Sequence, residues 1–69
     1  MKISARNMLK GKVKSVIHGA VNSEVVVEIP RGAQIVSIIT KRSAEDLKLA
    51  KGSDVYAVVK ASSVMIAVD

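Results

Sequence analysis

The chain has 69 residues, no cysteine, a single histidine and a formal charge of +5, from eleven Lys and Arg against six Asp and Glu. That length gives one small domain spanning residues 1–69, and a domain of this size buries only about 60% of its unfolded surface, so it is marginal alone. The missing cysteines exclude disulfides and thiolate metal sites, the lone His18 argues against an intrachain zinc site, and the positive charge favours an acidic partner: nucleic acid, an anionic surface or a small anion.

Self-association is the remaining means of adding stability. Apolar residues make up 49% of the chain, but Tyr56 is the only aromatic. Val and Ile dominate that apolar set, and both are stiff at χ1 and favour strands. The sequence contains no run of eighteen apolar residues and no signal-peptide pattern at Met1-Lys2-Ile3, so the expectation is a cytoplasmic protein with no membrane association.

The chain opens on Ser4-Ala5-Arg6-Asn7, which sets a hydroxyl, a guanidinium and an amide in four residues. All three donate hydrogen bonds, a composition suited to an oxyanion. Leu9 to His18 then alternates, with Leu9, Gly11, Val13, Ser15 and Ile17 on one face and Lys10, Lys12, Lys14, Val16 and His18 on the other, which predicts a strand. Gly19 permits a turn. Glu24 to Ile29 alternates again, with Val25, Val27 and Ile29 inward. An antiparallel hairpin would set Glu24 and Glu28 across from the lysines. Pro30-Arg31-Gly32 turns the chain.

Gln34 to Thr40 predicts a third strand that is apolar on both faces. Ser43 to about Lys51 predicts a short helix, with Ser43 as N-cap, Asp46 completing a capping box, Ala44 and Leu47 toward the sheet and Gly52 as the C-terminal stop. Val55 to Val59 and Val64 to Val68 predict two more strands, again apolar on both faces. The expected fold is all-β with one short helix: a five-stranded Greek-key barrel of the oligonucleotide/oligosaccharide-binding type, with the helix between strands 3 and 4. A closed barrel needs only one apolar face per strand, so the second calls for a cover, most economically another subunit.

Three donor-rich segments lie along the chain: Ser4–Asn7, Thr40-Lys41-Arg42-Ser43 and Lys60-Ala61-Ser62-Ser63. None contains a carboxylate, which would repel an anion. Locally each has a plainer reading: Ser43 as a helix cap, Lys60 as a strand end, Ser62-Ser63 as a turn, Lys10, Lys12 and Lys14 as a solvated face, and His18 as a turn-flanking residue. An enzyme is not expected, because there is no cysteine, no relay around the histidine, no paired carboxylates and no Gly-rich phosphate loop. Binding of single-stranded nucleic acid fits the charge and the fold, but only Tyr56 could stack a base.

Taken together, Ser4-Ala5-Arg6-Asn7-x-Leu9-x-Gly11-x-Val13, Gly19-Ala20-Val21-x-x-Glu24-Val25 and Lys60-Ala61-Ser62-Ser63-Val64 resemble the molbindins, small proteins built from a single molybdate-binding domain. The resemblance runs essentially end to end. It implies intracellular storage of molybdate, or of tungstate as a near-isostere, by a homohexamer arranged as a trimer of dimers with sites at subunit interfaces. It also implies a ligand set: Ser4, Thr40, Ser43 and Ser62 through hydroxyls, Ala5 and Ala61 through backbone N–H groups, and Arg6 and Lys60 through charge. A second class of site in the family has the His18-Gly19 turn as its candidate here. Asn7 is expected to hold the turn that aims Arg6.

Overall fold

Period-two alternation of apolar and polar residues produces four antiparallel strands in the computed structural model, which describes residues 2–69. They are β1 (Asn7–His18), β2 (Asn22–Glu28), β3 (Gln34–Thr40) and β4 (Asp54–Val59), with the helix α1 (Lys41–Asp46) between β3 and β4. The sheet order is β3-β2-β1-β4. β1 is long enough to serve two partners: Asn7–Lys12 pairs with β4 and Lys12–His18 with β2, so Lys12 stands opposite both Asp54 and Glu28.

Gly11 makes that hand-over possible. A Cβ there would lie 2.5 Å from the Glu28 carbonyl oxygen and 2.9 Å from a Val27 methyl. Only a residue without a side chain lets β1 come so close to the end of β2. Two residues on, the register with β2 shifts between Val13 and Ser15, a β-bulge at Lys14. The extra residue exchanges the faces of everything after it. Val16 therefore packs on the core, and Ile17, expected inward, is 60% exposed. The same slip puts Glu24 opposite Ile17 instead of a lysine. Lys12 pairs with Asp54 at 2.8 Å, not with Glu28.

The core is small. Val13, Val25 and Val27 are buried, with Val16, Ile29, Ile39, Leu49 and Val55 packed around them. Each fully buried aliphatic side chain contributes about 1.5–3 kcal/mol. Large apolar side chains remain outside it, among them Val36 and Ile38 on β3 and Tyr56 and Val58 on β4. The expectation of strands apolar on both faces holds for β3 and β4.

The helix starts earlier and ends sooner than the sequence suggests. Thr40, not Ser43, is the N-cap: its Oγ1 accepts the Ser43 N–H at 3.0 Å. The Lys41 N–H is held by the Val21 carbonyl at 2.8 Å, and Ala44 is the buried anchor. Lys48 enters the left-handed region at φ 53°, which ends the helix before Gly52 is reached. Glu45 and Asp46 therefore sit in its last turn, not its first, and Leu47 faces solvent while Leu49 reaches the core. Gly52, at φ 91°, makes the turn into β4, its N–H donating to the Val13 carbonyl at 2.8 Å.

The fold is thus mostly β with one short helix, and its four strands form a curled sheet, a half-barrel. The fifth expected strand has no ladder. Ala61–Ser63 forms a single 3₁₀ turn, and residues 64–69 beyond it pair with neither sheet edge and are exposed.

Candidate functional site

The β1–β4 register decides which donor segments meet. Asn7 stands opposite Val59, so the residues just before β1 lie beside those just after β4. A cleft of about 550 Å³ opens between them, lined by Ser4, Ala5 and Arg6 on one side and Lys60, Ala61 and Ser62 on the other. Ile3 and Val58 complete the lining. Six of the eight predicted ligands are therefore gathered by one chain. Ile3 and Val58 were not singled out from the sequence; as apolar strand-end residues they carry no signal separable from ordinary packing.

Chemically the cleft offers donors and positive charge. Arg6 and Lys60 supply two cations, and Ser4 and Ser62 supply hydroxyls. The turn after β4 is closed by the Ser63 N–H to the Lys60 carbonyl at 2.8 Å and the Val64 N–H to the Ala61 carbonyl at 3.3 Å. The N–H groups of Ala61 and Ser62 head that turn, where helical geometry provides no internal acceptor. No Asp or Glu is among the lining residues. The cleft is open: all of its predicted ligands are exposed except Ala5, which is half-buried.

Thr40 and Ser43 are not part of it. Thr40 stands opposite Asn22, whose neighbour Ser23 stands opposite His18, at the far end of β1 from Asn7. At about 3.3 Å per residue, that puts roughly 35 Å of strand path between the two groups. At their own end the two hydroxyls are linked, the Thr40 O–H donating to Ser43 Oγ at 2.7 Å. The structure thus presents two separate donor groups.

The His18-Gly19 turn shares the Thr40 end, and its groups are locally engaged. His18 Nδ1 lies 2.6 Å from the buried Ser23 hydroxyl, and the Gly19 N–H donates to the Asn22 carbonyl at 2.7 Å. Elsewhere, the Lys12 ammonium, aided by Lys10, holds the Asp54 carboxyl below the usual carboxylate range.

Comparison with known proteins shows the family. The TOBE domain family model matches residues 3–66. Molybdenum-pterin-binding protein 3 of Clostridium pasteurianum is 52% identical over 66 residues, covering 96% of this chain and 97% of that protein. Among solved structures, MopII from Clostridium pasteurianum superimposes with a TM-score of 0.92 at 49% identity, over 97% of this chain and 100% of that one. ModG, described as a cytoplasmic molybdate-binding protein and solved with molybdate bound, superimposes with a TM-score of 0.90 at 43% identity, over 94% of this chain and 46% of its own. The chain belongs to the TOBE-domain family, as a protein of the molbindin type.

Proposed function

We propose that this protein binds molybdate, with tungstate as a near-isostere, and serves to store and buffer the oxyanion in the cytoplasm. The observation that carries the proposal is the cleft in which Arg6, Lys60, Ser4, Ser62 and the backbone N–H groups of Ala5 and Ala61 converge without a carboxylate. Tetrahedral dianions have acceptor-only oxygens, and charge-assisted hydrogen bonds to them are stronger than neutral ones. Binding proceeds without chemistry: the donors replace the hydration shell, and the size of the cage favours molybdate over the smaller sulfate. The relatives named for molybdenum or molybdate support the choice of ion.

Thr40 and Ser43 complete the site from a second copy. Their distance from the cleft in one chain, together with the openness of that cleft, supports a site shared between subunits. The assembly is a homo-oligomer, a hexamer built as a trimer of dimers, in which each half-barrel becomes a five-stranded Greek-key barrel. The His18-Gly19 turn contributes to a second class of site. With the one histidine joined to Ser23 at the other end of β1, and no His, Asp or Glu lining the cleft to activate its serine hydroxyls, the protein acts as a binder and not as an enzyme.

Calorimetric titration with molybdate, sulfate and a short single-stranded oligonucleotide at fixed salt tests this reading. Saturable molybdate binding, at least tenfold tighter than sulfate and with little response to the oligonucleotide, is expected. Oligonucleotide binding with a steep salt dependence and no molybdate signal overturns it. Arg6→Ala tests the site itself. Losing a charge-assisted hydrogen bond costs about 1.5–3 kcal/mol, so affinity falls roughly ten- to a hundredfold with assembly intact. Unchanged affinity removes Arg6 from the site.

A further inference from the structure

Two of the residues lining the donor cleft, Ile3 and Val58, contribute only bulky hydrocarbon to it. The core does not claim them: neither belongs to the set packed around Val13, Val25 and Val27, and they are 50% and 42% exposed. The backbone sets each beside a donor. Ile3 immediately precedes Ser4. Lys60 continues the extended backbone of β4 at φ −64° and ψ 130°. By the strand's period of two, Val58 and Lys60 therefore project to the same face. Each bank of the cleft thus carries one hydrocarbon side chain among its donors.

The donors alone discriminate weakly between dianions of one shape. Arg6 and Lys60 end long side chains, and an ammonium on a flexible stem follows a smaller ion inward. Hydrocarbon behaves differently. An ion oxygen turned toward it gives up water and gains no donor, and the electrostatic cost of that loss rises as the ion shrinks. Sulfate, the smaller dianion, is therefore penalised more than molybdate on the apolar side, while the donor side favours both. A penalty set against the competitor yields selectivity as well as a contact offered to the ligand does.

We propose that Ile3 and Val58 are specificity-determining residues, an apolar wall that sets the preference of the cleft for larger dianions over sulfate. The proposal rests on the oxyanion binding proposed above and adds the residues that choose among oxyanions. Molybdate and tungstate, being near-isosteric, meet the wall alike. The wall separates ions by size and leaves that pair unresolved.

Val58→Thr and Ile3→Thr each exchange hydrocarbon for a hydroxyl that can donate to the ion. The hydroxyl restores to the facing oxygen what the lost water supplied, and sulfate regains more than molybdate. Calorimetric titration of parent and variants with molybdate, tungstate and sulfate at one ionic strength gives two affinity ratios. The molybdate-to-sulfate ratio should fall about fivefold in each variant, the worth of one hydrogen bond, while the molybdate-to-tungstate ratio stays within about twofold of the parent's. Affinities that change equally for all three ions overturn the wall and leave oxyanion binding standing. So does a parent that binds sulfate as tightly as molybdate. A shift of both ratios together assigns the change to the donors and likewise overturns it. A parent that binds none of the three ions sinks the oxyanion reading and the wall with it. Circular dichroism and sedimentation matched to the parent establish that fold and assembly are kept. Where Val58→Thr fails that check, Ile3→Thr decides alone, because Ile3 precedes β1 and takes part in no ladder.

Discussion

Arg31 carries a backbone conformation that suits glycine better. Pro30 and Arg31 are the central residues of a turn closed by the Gly32 N–H to the Ile29 carbonyl at 3.1 Å, and Arg31 sits at φ 80°. A type II turn demands that sign of φ at its second central position. Side chains with a Cβ resist it by about 1–2 kcal/mol, while glycine loses more entropy on folding, so Arg31→Gly should stabilise by a net 0.5–1 kcal/mol or so. Urea denaturation gives the midpoint shift; a lower midpoint contradicts the turn assignment. Asp54 holds the Lys12 ammonium on its carboxylate at 2.8 Å. Its pKa is lowered, first by the hydrogen bond from Lys12 and then by the charges of Lys12 and Lys10. A carboxyl depressed on folding stabilises above its unfolded pKa and loses that contribution as pH falls through the folded value. The loss therefore belongs below about pH 4. In Asp54→Asn the part of the acid-unfolding curve due to this pair disappears, while the neutral-pH stability of this exposed pair changes little.

Among the elements, β1 organises the molecule, and Gly11 and Lys14 are where it turns. Gly11→Ala sets a methyl against the Glu28 carbonyl, part of the backbone, so strands must move apart. The expected cost is about 1–3 kcal/mol, visible in thermal melting, and an unchanged melting temperature would mean β1 and β2 do not approach so closely. Alternation placed the four strands of the sheet to within two residues at each end, because one buried face imposes a period of two. It could not reveal the bulge. One extra residue leaves the local pattern plausible, Ser15 and Val16 being acceptable on either face, and only pairing with β2 decides between them. The helix was misplaced for a related reason. Thr40 and Ser43 are both good caps, and the choice fell to Thr40 when Ala44 docked and Val21 held the first helical N–H.

At the scale of the whole molecule, a core of three buried valines beside many exposed aliphatics suits a chain that is finished by another. If the ion binds between subunits, it binds assembled and not separated chains, so ligand, assembly and stability are linked. Molybdate at about a hundred times its dissociation constant should stabilise by roughly 2.7 kcal/mol, read as a rise in melting temperature. The rise should shrink on dilution as subunits part. Stabilisation independent of protein concentration would instead place a complete site in one chain.

Composition and spacing were enough to determine a mostly β fold with one short helix, the absence of cysteine chemistry and the three donor segments, because these depend on residue type and local order; the family came from the resemblance of the three motifs to the molbindins. Ser4–Arg6 and Lys60–Ser62 were identified as donors without reference to any contact. Their meeting was settled by the pairing of Asn7 with Val59, and the separation of Thr40 and Ser43 by the length of β1. Val64–Val68 marks the boundary most clearly. Its residues favour a strand, but a strand exists only where an edge accepts its hydrogen bonds, and within one chain the tail reaches none.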